Sequence, residues 1–474
     1  MLSTELNIAP KACQHIHLMG ICGTGVGALA GMLQNKGYTV TGSDQQVYPP
    51  MSDFLAGLGI EVQSGYRPEN LEPRPDLVVV GNVIRRDNPE AVALAEAGIP
   101  YLSMPQALGH FFLREKTCLV VCGTHGKTTT SSLMATMLHY AGEEPGFMIG
   151  GIVQAFKRNF NVSSGQYFVI EGDEYDTAFF DKGPKFLHYQ PDIAIITSIE
   201  FDHADIYKDL EAVKTSFRKL VSIMPATGKI IANIDDATVR EIVAEANCQV
   251  IGYGLSDQAN WSFTDLKADQ NRTTFTVTRD GTLFSEFSSP MPGHHNAMNT
   301  LAVTAVLSEI GISAQACRES LARFPGVRRR QEVRGIRNGV TVIDDFAHHP
   351  TAVKETLAAL RAAYSRNRLV AVFEPRTNSS RRNIFQSDYR EVFDDADEIL
   401  IKSPIPLDNI PQEEMFSSSR LADDLIKRDK KAASFDSTDA IIDYIKKSAT
   451  KGDVLVIMSN GGFDDIHNRL LAVL

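Results

Sequence analysis

The chain has 474 residues, enough for about two to four domains rather than one core. Apolar content of 43% and charged content of 22% are ordinary for a globular protein. The net charge of −11, without a long basic run, argues against nucleic acid as the main partner. No apolar run approaches the ~18 residues of a membrane span, and no signal pattern opens the chain. The six cysteines form no CxxC pair, so we expect reduced thiols and a cytoplasmic protein without a membrane partner.

The first predicted unit is a strand at residues 15–19, a glycine-rich turn, a helix to about Lys36 and a second strand at residues 38–44. Glycines at 20, 23, 25 and 27 and a terminal Asp44 are typical of a dinucleotide fingerprint, in which a late carboxylate binds a ribose hydroxyl. The irregular spacing supports a nucleotide diphosphate at a helix N-terminus more than it supports NAD. A purely structural turn is the alternative. With a further strand at 76–80, we expect a doubly wound domain over residues 1–115.

The most informative stretch begins with the apolar run Cys118–Cys122, which predicts a buried parallel strand. The glycine-rich segment GTHGKTTT follows at residues 123–130. Its glycines let backbone N–H groups converge on phosphate oxygens, Lys127 adds a full charge, and the Thr128 hydroxyl suits Mg²⁺. A triphosphate-binding loop is therefore predicted, and a chance Gly-Lys-Thr turn is the alternative.

Two details qualify this loop and the helix after it. The general pattern places glycine five residues before Gly126, whereas this chain has Val121 there. The helix is predicted to end near Gly142. Its apolar residues are expected on one face, namely Leu133, Met134, Met137, Leu138 and Ala141.

Acidic side chains follow the next apolar strand, at residues 167–171. The segment EGDEYD at 171–176 lies where a parallel strand beside a phosphate loop would hold Mg²⁺. A further strand at 193–197 leads to His203, which is a candidate metal ligand or phosphoryl contact, or else a structural histidine.

The later chain changes pattern twice. Alternating strands over 258–288, with a turn at Asp280-Gly281, predict hairpins. GHHNAMN at 293–299 precedes an apolar helix, and a domain boundary is expected near 324–326. Three arginines at 328–330 are either a solvated turn or a phosphate contact.

The remainder again alternates strands and helices, which predicts a third doubly wound domain. Strands are expected at 340–343, 369–373, 398–401 and 454–458, with helices to about Ala363 and over 465–474. The fold class is thus α/β, with domains at residues 1–115, 116–324 and 325–474.

Six motifs together resemble the Mur ligases, the ATP-dependent amide-forming enzymes of peptidoglycan synthesis, over essentially the whole chain. They are GTHGKTTT, EGDEYD, Asp202-His203, GHHNAMN, the arginines at 328–330 and DDFAHHP at 344–350. The resemblance implies a Rossmann-like UDP-binding domain, a central P-loop ATPase domain and a C-terminal Rossmann-like domain that binds peptide. It also implies roles in cell-wall biogenesis, cell shape and cell division.

The resemblance implies a role for each matching residue. The residues implied to contact ATP are Gly123, Thr124, His125, Gly126, Lys127, Thr128, Thr129, Asn296, Asn299, Arg330, Asp345 and His348. The residues implied to bind the UDP moiety are Gly23, Thr24, Gly25, Val26, Gly27, Ser43 and Asp44. The implied catalytic residues are Lys127, Glu174 and His203, and the implied Mg²⁺ ligands are Thr128, Glu174 and His203. Whether Arg329 or Arg330 contacts ATP stays open, and no carbamylation is assigned to Lys214.

Within the family, HIHLMGICGTGVGALA at 15–30 and DDFAHHPTA at 344–352 resemble the branch that uses UDP-N-acetylmuramate itself. One member adds L-alanine, and the other adds the recycled tripeptide L-alanyl-γ-D-glutamyl-meso-diaminopimelate. EPRTNSS at 374–380 and MSNGGFDDIH at 458–467 are similar to the tripeptide ligase. We therefore predict the tripeptide activity through an acyl phosphate, with Arg376 and Asn378 binding the peptide.

Alternatives remain for one residue and for the function. Arg376 could pair with a local acid such as Glu374, or cap a helix, instead of binding the peptide. The nearest alternative function is the L-alanine ligase. An alternative of another class is an NAD-binding oxidoreductase or regulatory module built on the first domain.

Overall fold

The structure is a computed structural model that describes residues 2–49, 51–270, 272–407 and 410–474. Contacts between Cα atoms divide the chain into two compact units. Unit 1 holds the described residues of Met1–Glu200, Glu211–Ala259 and Ala305–Ile312, and unit 2 holds those of Phe201–Leu210, Asn260–Thr304 and Ser313–Leu474. No helix among the described residues is long and apolar enough to cross a bilayer.

Unit 1 begins with a parallel five-stranded sheet in the order β3-β2-β1-β4-β5. Its strands are β1 (His15–Met19), β2 (Thr39–Asp44), β3 (Val62–Ser64), β4 (Leu77–Val80) and β5 (Tyr101–Ser103). Its helices are α1 (Thr24–Asn35), α2 (Met51–Gly57), α3 (Pro89–Ala97) and α4 (Met104–Leu108), and α4 continues into a π-helix at Gly109–Leu113. The predicted strand–glycine turn–helix–strand order is confirmed, and apolar β4 is buried throughout, as a parallel strand covered on both faces must be.

The second sheet of unit 1 carries the phosphate-loop motif on a central strand. In this unit its order is β14-β13-β12-β6-β9-β7-β8, parallel except for β8. The strands are β6 (Thr117–Cys122), β7 (Gly146–Val153), β8 (Arg158–Asn161), β9 (Tyr167–Gly172), β10 (Asp176–Ala178), β11 (Asp181–Pro184), β12 (Ile193–Ile196), β13 (Lys229–Asn233) and β14 (Gln249–Tyr253). The helices are α5 (Lys127–Tyr140), α6 (Leu210–Ile223) and α7 (Ala237–Val243), while β10 and β11 form a separate hairpin.

Helix α5 ends two residues before Gly142, as predicted, but its burial is broader than one apolar face. Every residue from Thr129 to Leu138 is buried. The buried polar members are Thr129, Thr130, Ser131, Ser132 and Thr136. The predicted apolar face is buried, with Leu133, Met134, Met137 and Leu138 fully covered. The burial of the opposite face was not predicted; small hydroxyl side chains let neighbouring elements cover it as well.

Unit 2 combines hairpins with a third sheet. Strands β15 (Trp261–Ala268), β16 (Thr273–Arg279) and β17 (Thr282–Ser289) pair antiparallel, which confirms the predicted hairpins. Helices α8 (His294–Glu309) and α9 (Ala314–Ala322) follow, and α8 begins inside the GHHNAMN motif. The third sheet has the order β18-β19-β23-β20-β21-β22, with only β18 antiparallel.

The third sheet is covered on both faces, so this part of the chain is doubly wound as predicted. Its elements are β18 (Glu332–Arg337), β19 (Val340–Asp345), α10 (Pro350–Ala363), β20 (Leu369–Phe373), β21 (Glu398–Lys402), α11 (Ser418–Ile426), β22 (Lys431–Phe435), α12 (Thr438–Ser448), β23 (Val454–Met458) and α13 (Ile466–Val473). Alternate residues of β20 enter two cores: Leu369, Ala371 and Phe373 pack with α10 and α11, whereas Val370 and Val372 pack with α12 and α13.

Replacing Leu357 tests the first of these cores. Leu357 lies fully buried on α10 against the sheet, so Leu357→Ala should lower local stability by about 3 kcal/mol. Amide hydrogen exchange in β20 and β23 should become about a hundredfold faster. Lys354→Ala, an exposed change on the same helix, is the control. Equal exchange rates in the two variants would contradict this assignment of the core.

Candidate functional site

The glycine loop after β6 has the geometry expected of a phosphate cradle. Gly126 caps α5 in the left-handed region, with φ of +80°. At Gly123, with φ of +130°, an added Cβ would lie 2.0 Å from Thr197 Oγ1. Neither position tolerates a side chain without strain. Val121 lies fully buried inside β6, so the turn here begins at Gly123 rather than five residues before Gly126.

Neighbouring residues 197 and 198, after β12, hold the loop in place. The backbone N–H of Thr124 donates to the Ser198 carbonyl over 2.9 Å, and that of His125 donates to Ser198 Oγ over 3.2 Å. Thr197 Oγ1 donates to the His125 carbonyl at 2.6 Å. Sequence reasoning missed both residues, although the pairing of β12 with β6 explains their position.

Lys127 lies between the loop and the acidic strand end. Its Nζ donates to the Gly123 carbonyl at 2.6 Å and pairs with Glu174 Oε2 at 2.9 Å. Burial alone would lower the pKa of Lys127, but the carboxylates of Glu174 and Asp173 outweigh it and raise the pKa above the ordinary value. The ammonium is therefore charged at neutral pH and can bind an anion.

Hard oxygen donors surround this lysine in unit 1. Thr128 Oγ1 donates to Glu171 Oε2 over 3.1 Å, and Lys185 pairs with Asp173 at 3.0 Å. Burial raises the pKa of Glu171, and the charge of Asp173 raises it further. Excess negative charge buried among oxygen donors fits a divalent cation such as Mg²⁺.

The glycine turn after β1 is held by the end of β2. The backbone N–H of Cys22 donates to Asp44 Oδ2 at 2.9 Å, and the N–H of Gly20 donates to the Ser43 carbonyl at 2.8 Å. The Ser43 hydroxyl is fully buried and donates to Glu90 Oε1 at 2.8 Å. Ser43 therefore shapes the turn through its backbone, and its hydroxyl already has a partner.

A buried polar network supports this turn, and sequence reasoning missed it. Glu90 has no exposed surface and also accepts from Asn70 at 2.7 Å and contacts His17 Nε2 at 2.8 Å. His17 Nδ1 in turn lies 2.9 Å from Thr41 Oγ1. Glu90 lies in the first turn of α3, where acidic residues are common, so no local signal marks it.

Unit 2 gathers several predicted nucleotide residues. Asn296 Nδ2 lies 3.3 Å from Gln331 Oε1 and 2.7 Å from the Pro292 carbonyl, and Asn299 lies 3.4 Å from Asn296. The N–H of Gln331 donates to Asp345 Oδ2 at 2.8 Å. Burial raises the pKa of Asp345, although Arg330 acts in the opposite direction. Gln331 was not predicted; it links α8 to the end of β19.

The Asp202-His203 pair also belongs to unit 2 and lies close to the histidines of DDFAHHP. Burial alone would raise the pKa of Asp202, but the charges of His203, His348 and His349 lower it from 3.8 to about 2. The N–H of His203 donates to Asp202 Oδ1 at 2.7 Å, and His203 has a φ of +53°. Left-handed non-glycine residues often occur at functional sites.

The two candidate arginines differ in their surroundings. Arg329 donates to the Ser459 carbonyl at 2.7 Å and lies 3.6 Å from Asp344, so it braces the loop after β23. The Arg330 guanidinium stacks 4.3 Å above the Phe346 ring. Arg329 also lies over this ring, at 5.1 Å, so the two arginines differ mainly in the carbonyl contact of Arg329.

The predicted peptide residues lie beyond β20. Arg376 is 43% exposed and its Nη1 lies 3.7 Å from Glu374 Oε1, whereas Lys402 reaches the same oxygen at 3.0 Å. Asn378 Nδ2 donates to Asp205 Oδ2 at 2.9 Å. Lys402 is therefore the main partner of Glu374, and the guanidinium of Arg376 makes only a long contact with it.

Lys214 forms an ion pair at 2.7 Å with Glu241 on the surface of unit 1. A hydrogen bond from its ammonium to Glu241 raises the pKa of Lys214. Carbamylation requires a neutral amine, so nothing in these surroundings favours it.

Comparison with known protein families matches three successive segments. Residues 15–116 match the Mur ligase family, catalytic domain; residues 121–307 match the Mur ligase middle domain; and residues 328–461 match the Mur ligase, glutamate ligase domain.

Individual relatives cover nearly the whole chain. The UDP-N-acetylmuramate–L-alanyl-γ-D-glutamyl-meso-2,6-diaminoheptandioate ligase of Escherichia coli (strain K12) is 41% identical over 96% of this chain and 97% of its own. The UDP-N-acetylmuramate–L-alanine ligase of Geobacter sp. (strain M21) is 33% identical over 97% of both chains. The crystal structure of a murein peptide ligase from Psychrobacter arcticus superposes with a TM-score of 0.71 and 36% identity, covering 97% of this chain and 98% of its own.

The lowered pKa of Asp202 makes a pH-dependent prediction. A carboxylate with a depressed pKa in the folded state stabilises the fold above its unfolded pKa, and this contribution is lost as the pH falls from 3.8 to about 2. Asp202→Asn should therefore reduce the unfolding free energy by about 2 kcal/mol at pH 6. Melting curves from pH 7 to pH 3 should show the gap to wild type narrowing below pH 4.

Asp423→Asn, an exposed change on α11, serves as the control and should follow wild type throughout. A gap that stays constant down to pH 3 would contradict the electrostatic role of Asp202.

Proposed function

This chain belongs to the Mur ligase family, and we propose that it joins UDP-N-acetylmuramate to the recycled tripeptide L-alanyl-γ-D-glutamyl-meso-diaminopimelate. As a Mur ligase it is an ATP-dependent, amide-forming enzyme of peptidoglycan metabolism. The observation that carries the tripeptide proposal is 41% identity, over 96% of the chain, to a ligase of that name, against 33% and 37% for two L-alanine ligases. An NAD-binding oxidoreductase is not supported, because all three segments match ligase domains.

The division of labour that we propose follows the predicted domains at 1–115, 116–324 and 325–474. The first binds UDP-N-acetylmuramate, the second ATP and the third the peptide. The loop Gly123–Thr129 holds the triphosphate with its backbone N–H groups and the N-terminus of α5. From unit 2, the nucleotide contacts are Asn296, Asn299, Arg330, Asp345 and His348. The engagement of Arg329 with the Ser459 carbonyl supports the choice of Arg330.

Mg²⁺ is the metal that we infer, with Thr128, Glu174 and His203 as its protein contacts. The buried carboxylates beside Thr128 fit such a cation. Bound there, Mg²⁺ supplies positive charge that offsets the charge developing on the transferred phosphoryl group. Lys127 contributes the same kind of stabilisation from its fixed position, once a phosphate oxygen replaces the Gly123 carbonyl as its partner.

The UDP moiety is assigned to the turn after β1, with residues Gly23, Thr24, Gly25, Val26 and Gly27. Their backbone N–H groups at the start of α1 suit a diphosphate. Ser43 and Asp44 act mainly by holding the turn. Asp44 accepts the Cys22 N–H, the Ser43 carbonyl accepts the Gly20 N–H, and the Ser43 hydroxyl donates to Glu90.

The reaction proposed has two steps. The lactyl carboxylate of UDP-N-acetylmuramate attacks the γ-phosphate of ATP, which gives an acyl phosphate and ADP. The neutral α-amine of the tripeptide then attacks the acyl carbon, and phosphate leaves. An acyl phosphate hydrolyses readily, so water must be excluded before the first step. Such an enzyme would act in the cytoplasm, where nucleotide precursors of the cell wall are made.

A coupled ADP-release assay tests this function. ATP, Mg²⁺ and UDP-N-acetylmuramate are present throughout. The kcat/KM of ADP release should be at least about a hundredfold higher for the tripeptide than for L-alanine. The amide product should be detected by mass. Release with L-alanine alone would show the alternative activity and overturn the proposal.

Arg376 provides a test of the peptide site. Its guanidinium has only a long contact with Glu374, so we propose that it binds a carboxylate at the diaminopimelate end, with Asn378 beside it. Arg376→Ala should reduce kcat/KM for the tripeptide about a hundredfold. The KM values for ATP and UDP-N-acetylmuramate should change less than twofold.

Arg366→Ala, an exposed arginine before β20, is the matched control and should behave as wild type. An unchanged kcat/KM for the tripeptide in Arg376→Ala, or an equal fall for all three substrates, would exclude this role.

A further inference from the structure

A large cavity in unit 1 lies at the N-terminal ends of strands β6 and β12, whereas the phosphate loop follows the C-terminal end of β6. Its volume is about 1010 Å³, within the range of small-molecule sites. Lys116 and Asp192, at its wall, immediately precede β6 and β12. Because a six-residue strand spans about 20 Å, this cavity is separate from the triphosphate cradle.

The wall chemistry favours an anion with an apolar body. Lys116 and Arg114 are the lysine and the arginine of the wall, and Asp192 is the one carboxylate among the described lining residues. Lys116 Nζ already donates to the carbonyls of Ser164 and Gly165. Asp192 is already engaged, since its Oδ2 accepts the Cys118 N–H at 2.7 Å. Apolar lining comes from separate parts of the unit, with Ile8 near the start of the chain and Leu187 and Ile223 much later. Ile8 is 61% exposed.

Arg114 is the least constrained of these cations. Its side chain is exposed, and it forms no ion pair or side-chain hydrogen bond with any of the described residues. Burial lowers the pKa of the neighbouring His110, and the charges of Arg114 and Lys36 lower it further, which reflects a locally positive field. This field occurs in a chain whose net charge is −11, so it is not a general property of the surface.

The segment beside the cavity contacts the glycine turn after β1 and is joined through strand β6 to the phosphate loop. Met104, at the start of α4, packs on the turn after β1, where a Cβ on Gly25 would lie 3.3 Å from Met104 Cε. The π-helix Gly109–Leu113 lines the cavity and is pinned by Lys36, which bonds the Phe111 carbonyl and lies 5.1 Å from the Phe112 ring. Three residues later the chain enters β6, which ends at the phosphate loop. Single π-helical turns are rare and frequently mark functional sites.

We propose that this cavity is a second ligand site that takes an anionic molecule of nucleotide size with an apolar body, and that its occupant regulates the enzyme through the segment 104–113. The ligand would bind with its anionic group at Arg114 and its apolar body against the aliphatic wall. A ligand that holds the π-helix in one conformation would act first on the turn after β1, on which the segment packs, and on the phosphate loop through β6, the strand that the segment enters.

The binding test uses 1-anilinonaphthalene-8-sulfonate, an anionic dye with an apolar body, on the full chain. Its fluorescence should show one saturable site that persists with saturating UDP-N-acetylmuramate and a non-hydrolysable ATP analogue. Two variants test the site: Arg114→Glu reverses the charge, and Ala9→Trp fills the cavity. Each should weaken dye binding at least about tenfold. Arg420→Glu, an exposed charge reversal on α11, should leave it within twofold.

Displacement of the dye by either nucleotide, or unchanged binding in Arg114→Glu, would overturn the site. These readouts do not depend on catalysis, so they stay informative if the tripeptide activity fails. The regulatory part rests on the proposed function: the dye should change KM for UDP-N-acetylmuramate at least twofold in wild type and not in Arg114→Glu. Hydrogen exchange in Gly109–Leu113 should slow when the dye binds. Dye binding that leaves both KM and this exchange unchanged would overturn the coupling.

Discussion

The buried charge of Lys127 is the constraint on which the phosphate loop depends. An isolated ammonium at this depth would cost several kcal/mol, so the side chain is stable only because Glu174 and Asp173 lie beside it. These carboxylates, together with Glu171, outnumber the two local ammonium groups of Lys127 and Lys185. This balance of charge agrees with the metal–triphosphate complex that we propose there, in which a divalent cation would offset the excess negative charge and the lysine would stabilise the phosphate.

The two glycine loops of unit 1 differ in how they are held and in the charge beside them. At the phosphate loop, the ammonium of Lys127 lies against the loop and can bind an anionic group. At the turn after β1, the loop has no lysine; Asp44 and the Ser43 carbonyl hold its backbone, and buried Glu90 holds Ser43. The first loop can thus stabilise a charge that changes during reaction, whereas the second offers fixed backbone dipoles that suit an unchanging diphosphate. This difference agrees with the separate assignments of ATP and UDP.

Local patterns predicted the elements that carry the site, because continuous apolar strands and glycine turns leave strong signals in the sequence. The strands β6, β9 and β12 were found from their apolar runs. What could not be predicted was tertiary support. Glu90 lies 47 residues beyond Ser43, and Gln331 joins α8 to β19 only after folding. The burial of α5 on all sides was also missed, because Ser and Thr have no apolar period that would indicate a covered face.

At the proposed peptide site, too, the sequence could not predict which residues pair across neighbouring strands. Glu374 and Arg376 are two residues apart in the sequence, so an ion pair between them was the alternative to peptide binding by Arg376. The fold brings Lys402, from the neighbouring strand β21, to the same carboxylate at the shorter distance of 3.0 Å. Because Lys402 is buried and also pairs with Asp464, it neutralises Glu374 in a low-dielectric setting. The guanidinium of Arg376, 43% exposed and at 3.7 Å, therefore loses little by turning to a substrate carboxylate.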